Sequence, residues 1–390
     1  MSKLSILVTA VVVVLTGCST SHVKTNYADQ PVVPLKEPVK EPIETEHVTE
    51  GPAIAPPPGG TPEAFHLPTN RLVNGWIPLR KWSEDHHAGP IQRLSSGTVP
   101  TFALKAPNGL LIVRAYDQVA YWNGMEFHLG FAPQVVNGQP LLHSLDFTKN
   151  IEPLMHSLSL PERTNRLIVI DAGHGGSNLG TKSVVDGSYE KQFSLDWARR
   201  LASILETNGW KVLLTRTSDI DLSLTNRVSF ADANKATLFV SLHFNAAPSP
   251  TDHDEAGIET FCVTPTGMPS TLKRDWEDDP TLVFPNNRFD VENLQYAMQV
   301  QRSLLKISGA KDHGVRRARF MTVIRGQNCP AILVEGGYLS NPREARRIAD
   351  PAYRQKLAEA VAAALIEKIP PPAAQTAENN SSATNGVPNQ

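Results

Sequence analysis

Arg166-Leu-Ile-Val-Ile-Asp-Ala-Gly-His174-Gly-Gly176 is the stretch whose reading decides the fold. Four consecutive aliphatic residues predict a strand buried on both faces, as in a parallel sheet. The strand then meets Asp171 and a glycine-rich turn that carries a single histidine. Open α/β sheets place their active sites at the carboxyl ends of such strands. The glycines beside His174 leave room for a metal, a water and a substrate to approach the backbone.

Two further stretches downstream repeat the pattern. Thr237-Leu-Phe-Val-Ser-Leu-His243-Phe-Asn245-Ala is a mostly apolar strand ending in a histidine, and alternation puts Ser241, His243 and Asn245 on one face. Pro330-Ala-Ile-Leu-Val-Glu335-Gly-Gly-Tyr338 ends in a glutamate, which is costly to bury unless it is paired or functional. Between the first two lies a helix whose apolar residues Phe193, Trp197, Ala198, Leu201, Ile204 and Leu205 recur at helical spacing, stopped by Asn208-Gly209. Glu190 falls in its first turn. Two histidines and a carboxylate from separate elements, with one position left open, form a donor set used by catalytic zinc sites.

The remaining elements complete an α/β order. Trp210-Lys-Val-Leu-Leu-Thr-Arg216 reads as a strand, and Ser223 as the N-cap of a helix running to about Ala236. Asn341, Pro342 and Glu344 occupy the N-cap, N1 and N3 positions of another helix. A final helix starts after Asp350-Pro351 and stops at Pro370.

Outside this region the composition changes. A short positive start is followed by an apolar run from Leu4 to Leu15, well short of the ~20 residues that span a bilayer. It has the size of a signal-peptide core. It ends Leu15-Thr16-Gly17-Cys18, which resembles the bacterial lipoprotein box and implies cleavage after residue 17 and lipidation of Cys18. Ser19 follows, not an aspartate that would imply inner-membrane retention. The expected location is therefore the cell envelope, lipid-anchored, at the outer membrane facing the periplasm. Residues 18–64, rich in Pro, Glu, Thr and Val, read as a disordered tether, and residues 370–390 as a disordered tail.

Residues 65–157 alternate short apolar runs with Asn108-Gly, Asn123-Gly and Asn137-Gly turns, which predicts a small mostly-β domain. The stretch from Phe131 to Leu142 weakly resembles copper amine oxidase N-terminal-like repeats and implies no copper. Asp85-His86-His87 reads as a solvated loop. The net charge of −2 carries no basic footprint, so nucleic acid is not an expected partner. Cys262 and Cys329, the cysteines left after Cys18, lie in no C-x-x-C pair, and sequence leaves pairing and free thiols both open.

Taken in order, Asp171-Ala-Gly-His-Gly-Gly, Glu190-Lys191, Arg216 with Asp219 and Arg227, Ser241-Leu-His-Phe-Asn-Ala and Val334-Glu-Gly-Gly-Tyr-Leu-Ser-Asn resemble the zinc-dependent N-acetylmuramoyl-L-alanine amidases of the type-3 family. The resemblance covers residues 166–369. It implies a twisted, mostly parallel sheet flanked by helices, one zinc held by His174, Glu190 and His243, and Glu335 as catalytic base. The implied substrate is peptidoglycan, and the sequence leaves a partner activator protein open. Ala172 stands where the family often has proline. Asn245 and Arg316 are candidate substrate contacts, and His313 reads as a loop residue beside the groove. Residues 264–293, where some cell-division amidases carry a self-inhibitory helix, are broken by four prolines and are expected to form a loop lining the groove. A zinc peptidase acting on the stem peptide and a non-catalytic wall-binding lipoprotein are the competing classes.

Overall fold

The computed structural model describes residues 75–366, apart from residue 96, residues 157–165, residue 250 and residues 273–277. The expected signal peptide, Cys18, tether and tail lie outside the described residues. All described residues belong to one compact unit, Phe65–Gln390.

The N-terminal part is mostly β: β1 (Trp76–Pro78), β2 (Ile91–Arg93), β3 (Thr101–Ala106), β4 (Gly109–Arg114), β5 (Val119–Trp122), β6 (Met125–His128), β7 (Gln134–Val136) and β8 (Gln139–His143). Two of the three Asn-Gly dipeptides make tight hairpins. Asn123 and Gly124 turn β5 into β6, and Asn137 and Gly138 turn β7 into β8, with positive φ at both central residues of each. His86 stacks on Trp82 with ring centroids 4.4 Å apart.

The remaining strands are β9 (Leu167–Ala172), β10 (Lys211–Leu214), β11 (Leu238–Asn245), β12 (Ile258–Cys262), β13 (Asp312–Arg317) and β14 (Ala331–Tyr338). They run in the order β10-β9-β11-β14-β12-β13, parallel except where β12 opposes β14. This is the mostly parallel sheet that the buried aliphatic runs require. The sheet does not stop there. β13 pairs with β6 through Val315 and Phe127, so the order continues β6-β5-β4-β3-β2 into a single eleven-stranded sheet. A separate three-stranded sheet, β1-β8-β7, flanks it in sequence.

Alternation sorts the core into two layers. Ile168, Ile170, Val240, Leu242, Ile332 and Val334 point to one face and pack with Trp197, Leu201, Met298, Leu357 and Val361 of the long helices Glu190–Thr207, Asp290–Ser308 and Pro351–Ile366. Val169, Phe239, Phe261, Ala331 and Leu333 point to the other and pack with Ala231, Val323 and Ile324 of the short helices Leu224–Ala233 and Thr322–Arg325. The expected caps are in place. Asn226 N–H donates to Ser223 Oγ (3.1 Å), and Arg343 and Glu344 N–H donate to Asn341 Oδ1 (2.9 and 3.1 Å).

In the catalytic part, β12, β13 and the helices Asp290–Ser308 and Thr322–Arg325 had no place in the sequence reading. His313, expected in a loop, is on β13. The described part of residues 264–293 carries a short 3-10 helix, Pro285–Phe289, before the α-helix begins. It is tied down by Arg319, whose Nη1 pairs with Asp278 (2.5 Å) and whose Nη2 donates to Met268 O (2.7 Å).

Cys262 belongs to the first core layer and Cys329 to the second, so the sheet separates two free thiols. Burial raises both, Cys329 to about 12. Both are expected to resist a maleimide in the folded protein and to react after denaturation, as mass spectrometry of the labelled peptides will read out.

Candidate active site

Each expected donor arrives on its own element. β9 delivers His174 just past its end, the helix Glu190–Thr207 begins with Glu190, and β11 carries His243 near its end. His174 is held at φ 61°, a left-handed conformation rare outside glycine and the kind of strain that gathers at functional sites. His174 Nε2 lies 3.0 Å from Glu190 Oε2, and His243 Nδ1 lies 2.9 Å from Glu190 Oε1. One ligand atom from each residue falls within 4.8 Å of the others.

Backbone and side chains orient this set. Thr181 N–H donates to Glu190 Oε2 (2.9 Å) and Phe244 N–H to Oε1 (3.0 Å), fixing the carboxylate plane. His174 Nδ1 lies 2.8 Å from Asn178 Oδ1, a contact that orients the ring with Nε2 toward Glu190. Burial opposes charge on Glu190, but hydrogen bonds and charge from both histidines hold its pKa far below the usual carboxylate range.

Beneath the loop lies a second polar layer that sequence reading had noted only as motif residues. Asp171, 1% exposed, accepts from Thr215 Oγ1 (2.6 Å), Ser241 Oγ (2.7 Å) and Arg227 Nη1 (2.5 Å). Arg227 also donates to Ala172 O (2.8 Å) and His174 O (2.7 Å). Arg216 donates to Ala172 O (2.9 Å), Gly173 O (2.8 Å) and Lys191 O (2.7 Å). Lys191 bridges Gly176 O (2.8 Å) and Asp219 (2.7 Å). Two arginines and a lysine thus bind the carbonyls of the His174 loop, and they tie it to the start of the Glu190 helix.

Two glycines are required by space. A Cβ on Gly173 would lie 2.3 Å from His243 Cε1, and one on Gly180 (φ +68°) would lie 2.7 Å from both Glu190 Oε2 and His174 Cδ2. Gly173→Ala is therefore expected to displace the His243 ring, and a metal held by the three donors would then bind about 10- to 100-fold more weakly, the range for disturbed ligand support. Competition with a fluorescent zinc chelator measures this.

Glu335 sits beside His243 in the parallel register of β14 and β11. Its Oε2 is buried with no hydrogen-bond partner among the described residues. Burial first, then the charges of Glu190 and Glu259, push its pKa well above the usual range. A carboxylate left this way, one strand from the donor set, is suited to taking up a proton.

Glu259 is the site residue that sequence reading missed. It is 4% exposed on β12, opposite Glu335 in register. It accepts from Asn245 Nδ2 and Tyr338 OH (3.2 Å), and Arg316 Nε lies 3.1 Å from its Oε2. Asn245 and Arg316, the candidate substrate contacts, are therefore both anchored by Glu259. The missed signal was Ile258-Glu-Thr-Phe-Cys262, a single charge in an apolar run too short to stand out. Glu344 supports this corner, its Oε2 accepting from Gly257 N–H (3.1 Å) and Tyr338 N–H (2.8 Å).

Residues 168–367, about half of the 390-residue chain, match the family model described as N-acetylmuramoyl-L-alanine amidase. The chain is 27% identical over 234 residues to the N-acetylmuramoyl-L-alanine amidase AmiA of Salmonella typhimurium, covering 54% of this chain and 79% of that protein. It is 32% identical over 193 residues to CwlM of Bacillus licheniformis, covering 49% and 64%. Among solved structures, the amidase AmiC2 of Nostoc punctiforme aligns at 30% identity with a TM-score of 0.43, over 52% of this chain and 96% of that one. The chain belongs to the N-acetylmuramoyl-L-alanine amidase family, the hydrolases that cut the amide between muramic acid and L-alanine in peptidoglycan.

Proposed function

We propose that this chain hydrolyses that bond with one zinc ion held by His174, Glu190 and His243 and with Glu335 as general base. The observation that carries the reading is the convergence of the three donors within 4.8 Å beside a buried carboxylate oxygen with no partner. Two imidazoles and a carboxylate fit zinc by donor type and number, with His174 oriented by Asn178 and Glu190 by two backbone N–H groups.

When bound, zinc supplies Lewis acidity that acidifies water and polarises the scissile carbonyl. Glu335 accepts the proton of the attacking water and returns it to the departing L-alanine nitrogen, so that one carboxylate serves both steps. Oε2, which has no hydrogen-bond partner among the described residues, is free for that uptake. Glu259 holds Asn245, Tyr338 and Arg316 in place on the neighbouring strands.

The same reading includes a lipoprotein at Cys18, anchored in the cell envelope, at the outer membrane facing the periplasm, where the enzyme serves wall remodelling or daughter-cell separation. The Cys18 box and the polar, proline-rich residues 18–64 support it. Purified full-length protein should contain about one zinc per chain. It should release from purified peptidoglycan stem peptides that begin with L-alanine and leave the glycan lactyl groups intact. Mass spectrometry showing cleavage inside the stem would instead establish a zinc peptidase.

A further inference from the structure

Strand β6 lies outside the family match yet enters the catalytic sheet. Phe127 and its partner Val315 both point into the first core layer. Alternation therefore turns Glu126 and His128 to the opposite face. On that face successive strands carry His243, Glu335, Glu259 and Arg316, and Glu126 with His128 extends the row.

The contacts agree with this placement. Glu126 Oε1 lies 3.2 Å from His128 Nε2, and Glu126 N–H donates to Asp312 Oδ2 (3.0 Å) on β13. A Cβ on Gly314 would approach Glu126 Cγ to 3.0 Å, so the glutamate lies directly over that strand. Burial tends to raise the Glu126 pKa, but the hydrogen bond to His128 and the nearby Arg316 outweigh it and hold the carboxyl below its ordinary range. The side chains of Glu126, His128 and Arg316 are 20%, 10% and 23% exposed, a lined wall and not a solvated surface. Arg316 uses Nε on Glu259, and its two terminal nitrogens have no partner among the described residues.

Neighbouring strands are about 4.8 Å apart, so Arg316 lies roughly 10 Å and Glu126 roughly 14 Å from Glu335 along the sheet. An extended peptide advances about 3.3–3.6 Å per residue. A stem peptide cut beside Glu335 and laid across the strands thus carries the backbone of its third residue about 7 Å along the row, and a long side chain on that residue spans the rest of the way to this pair.

We propose that Arg316, Glu126 and His128 form a subsite for the third residue of the stem peptide, a diamino acid whose side chain ends in both an ammonium and a carboxylate. The Arg316 guanidinium takes the carboxylate, and Glu126, steadied by His128, takes the ammonium. The proposal rests on the amidase reading, and it makes the N-terminal β region part of the substrate groove.

The test uses the zinc-loaded full chain and two soluble substrates, muramoyl-L-alanyl-D-isoglutamine and the muramoyl tripeptide ending in meso-diaminopimelate. The parent should favour the tripeptide in kcat/KM. Glu126→Gln and His128→Ala should each lower that preference about tenfold, the size of one charge-assisted hydrogen bond. In a Glu335→Gln background, calorimetry should show the same loss in tripeptide affinity. An unchanged preference in both variants overturns the subsite. A parent that cleaves neither substrate overturns the amidase reading before any variant is compared, and the subsite with it.

Discussion

On the proposed zinc mechanism, Glu335→Gln is expected to lower kcat by about 10²–10⁴-fold with zinc content unchanged, the contribution of a positioned general base. The substitution keeps the volume and removes only the ability to accept a proton. No donor bond is broken, because Oε2 has no hydrogen-bond partner among the described residues. It also removes a carboxylate that burial, Glu190 and Glu259 all disfavour, so the variant should melt no lower than the parent. Stem-peptide release from purified wall, zinc content and a thermal melt check the three parts together. Release near the parent rate would remove Glu335 from the mechanism.

Asp171→Ala should destabilise the fold by about 3–5 kcal/mol, because it leaves the buried Arg227 guanidinium without its counter-charge. Arg227 is 3% exposed and also supports Ala172 O and His174 O, so activity should fall together with stability. The pH dependence has a definite sign. Burial acts to raise the Asp171 pKa, but Arg227 and the hydrogen bonds from Thr215 and Ser241 outweigh it and hold the folded value below the ordinary 3.8. Its stabilising contribution is therefore complete above about pH 4 and is lost as the pH falls through the depressed folded value. Urea titrations of parent and variant should converge in strongly acidic solution and diverge above it. A difference that stays constant down to pH 2 would exclude the ion pair as its source.

Much of the site was legible because the chemistry and the local pattern coincide. Leu167 to Ile170 can only be a strand buried on both faces, so Asp171 and His174 had to follow at its carboxyl end. His243 and Glu335 each close an apolar run of the same kind, and the helix of Glu190 starts where capping and periodicity place it. These features depend on neighbours in sequence, and a reader of the chain alone recovers them.

Pairing between distant segments was not legible. Glu259 lies in a five-residue strand whose burial comes from β14 and β13 on either side, and nothing local distinguishes its charge from a surface one. The same holds for β6. Its hairpin follows from Asn123-Gly124, but its attachment to β13 rests on one long-range register, Val315 with Phe127. The sequence by itself determined the strand ends, the donor types and the chemistry they support, because those follow from periodicity and side-chain identity. Only the tertiary structure decided that Arg227 and Arg216 hold the His174 loop, that Glu259 gathers Asn245, Tyr338 and Arg316, and that a β region outside the family match shares the catalytic sheet. Those outcomes depend on which strands lie side by side, and strand order is set by packing over the whole sheet.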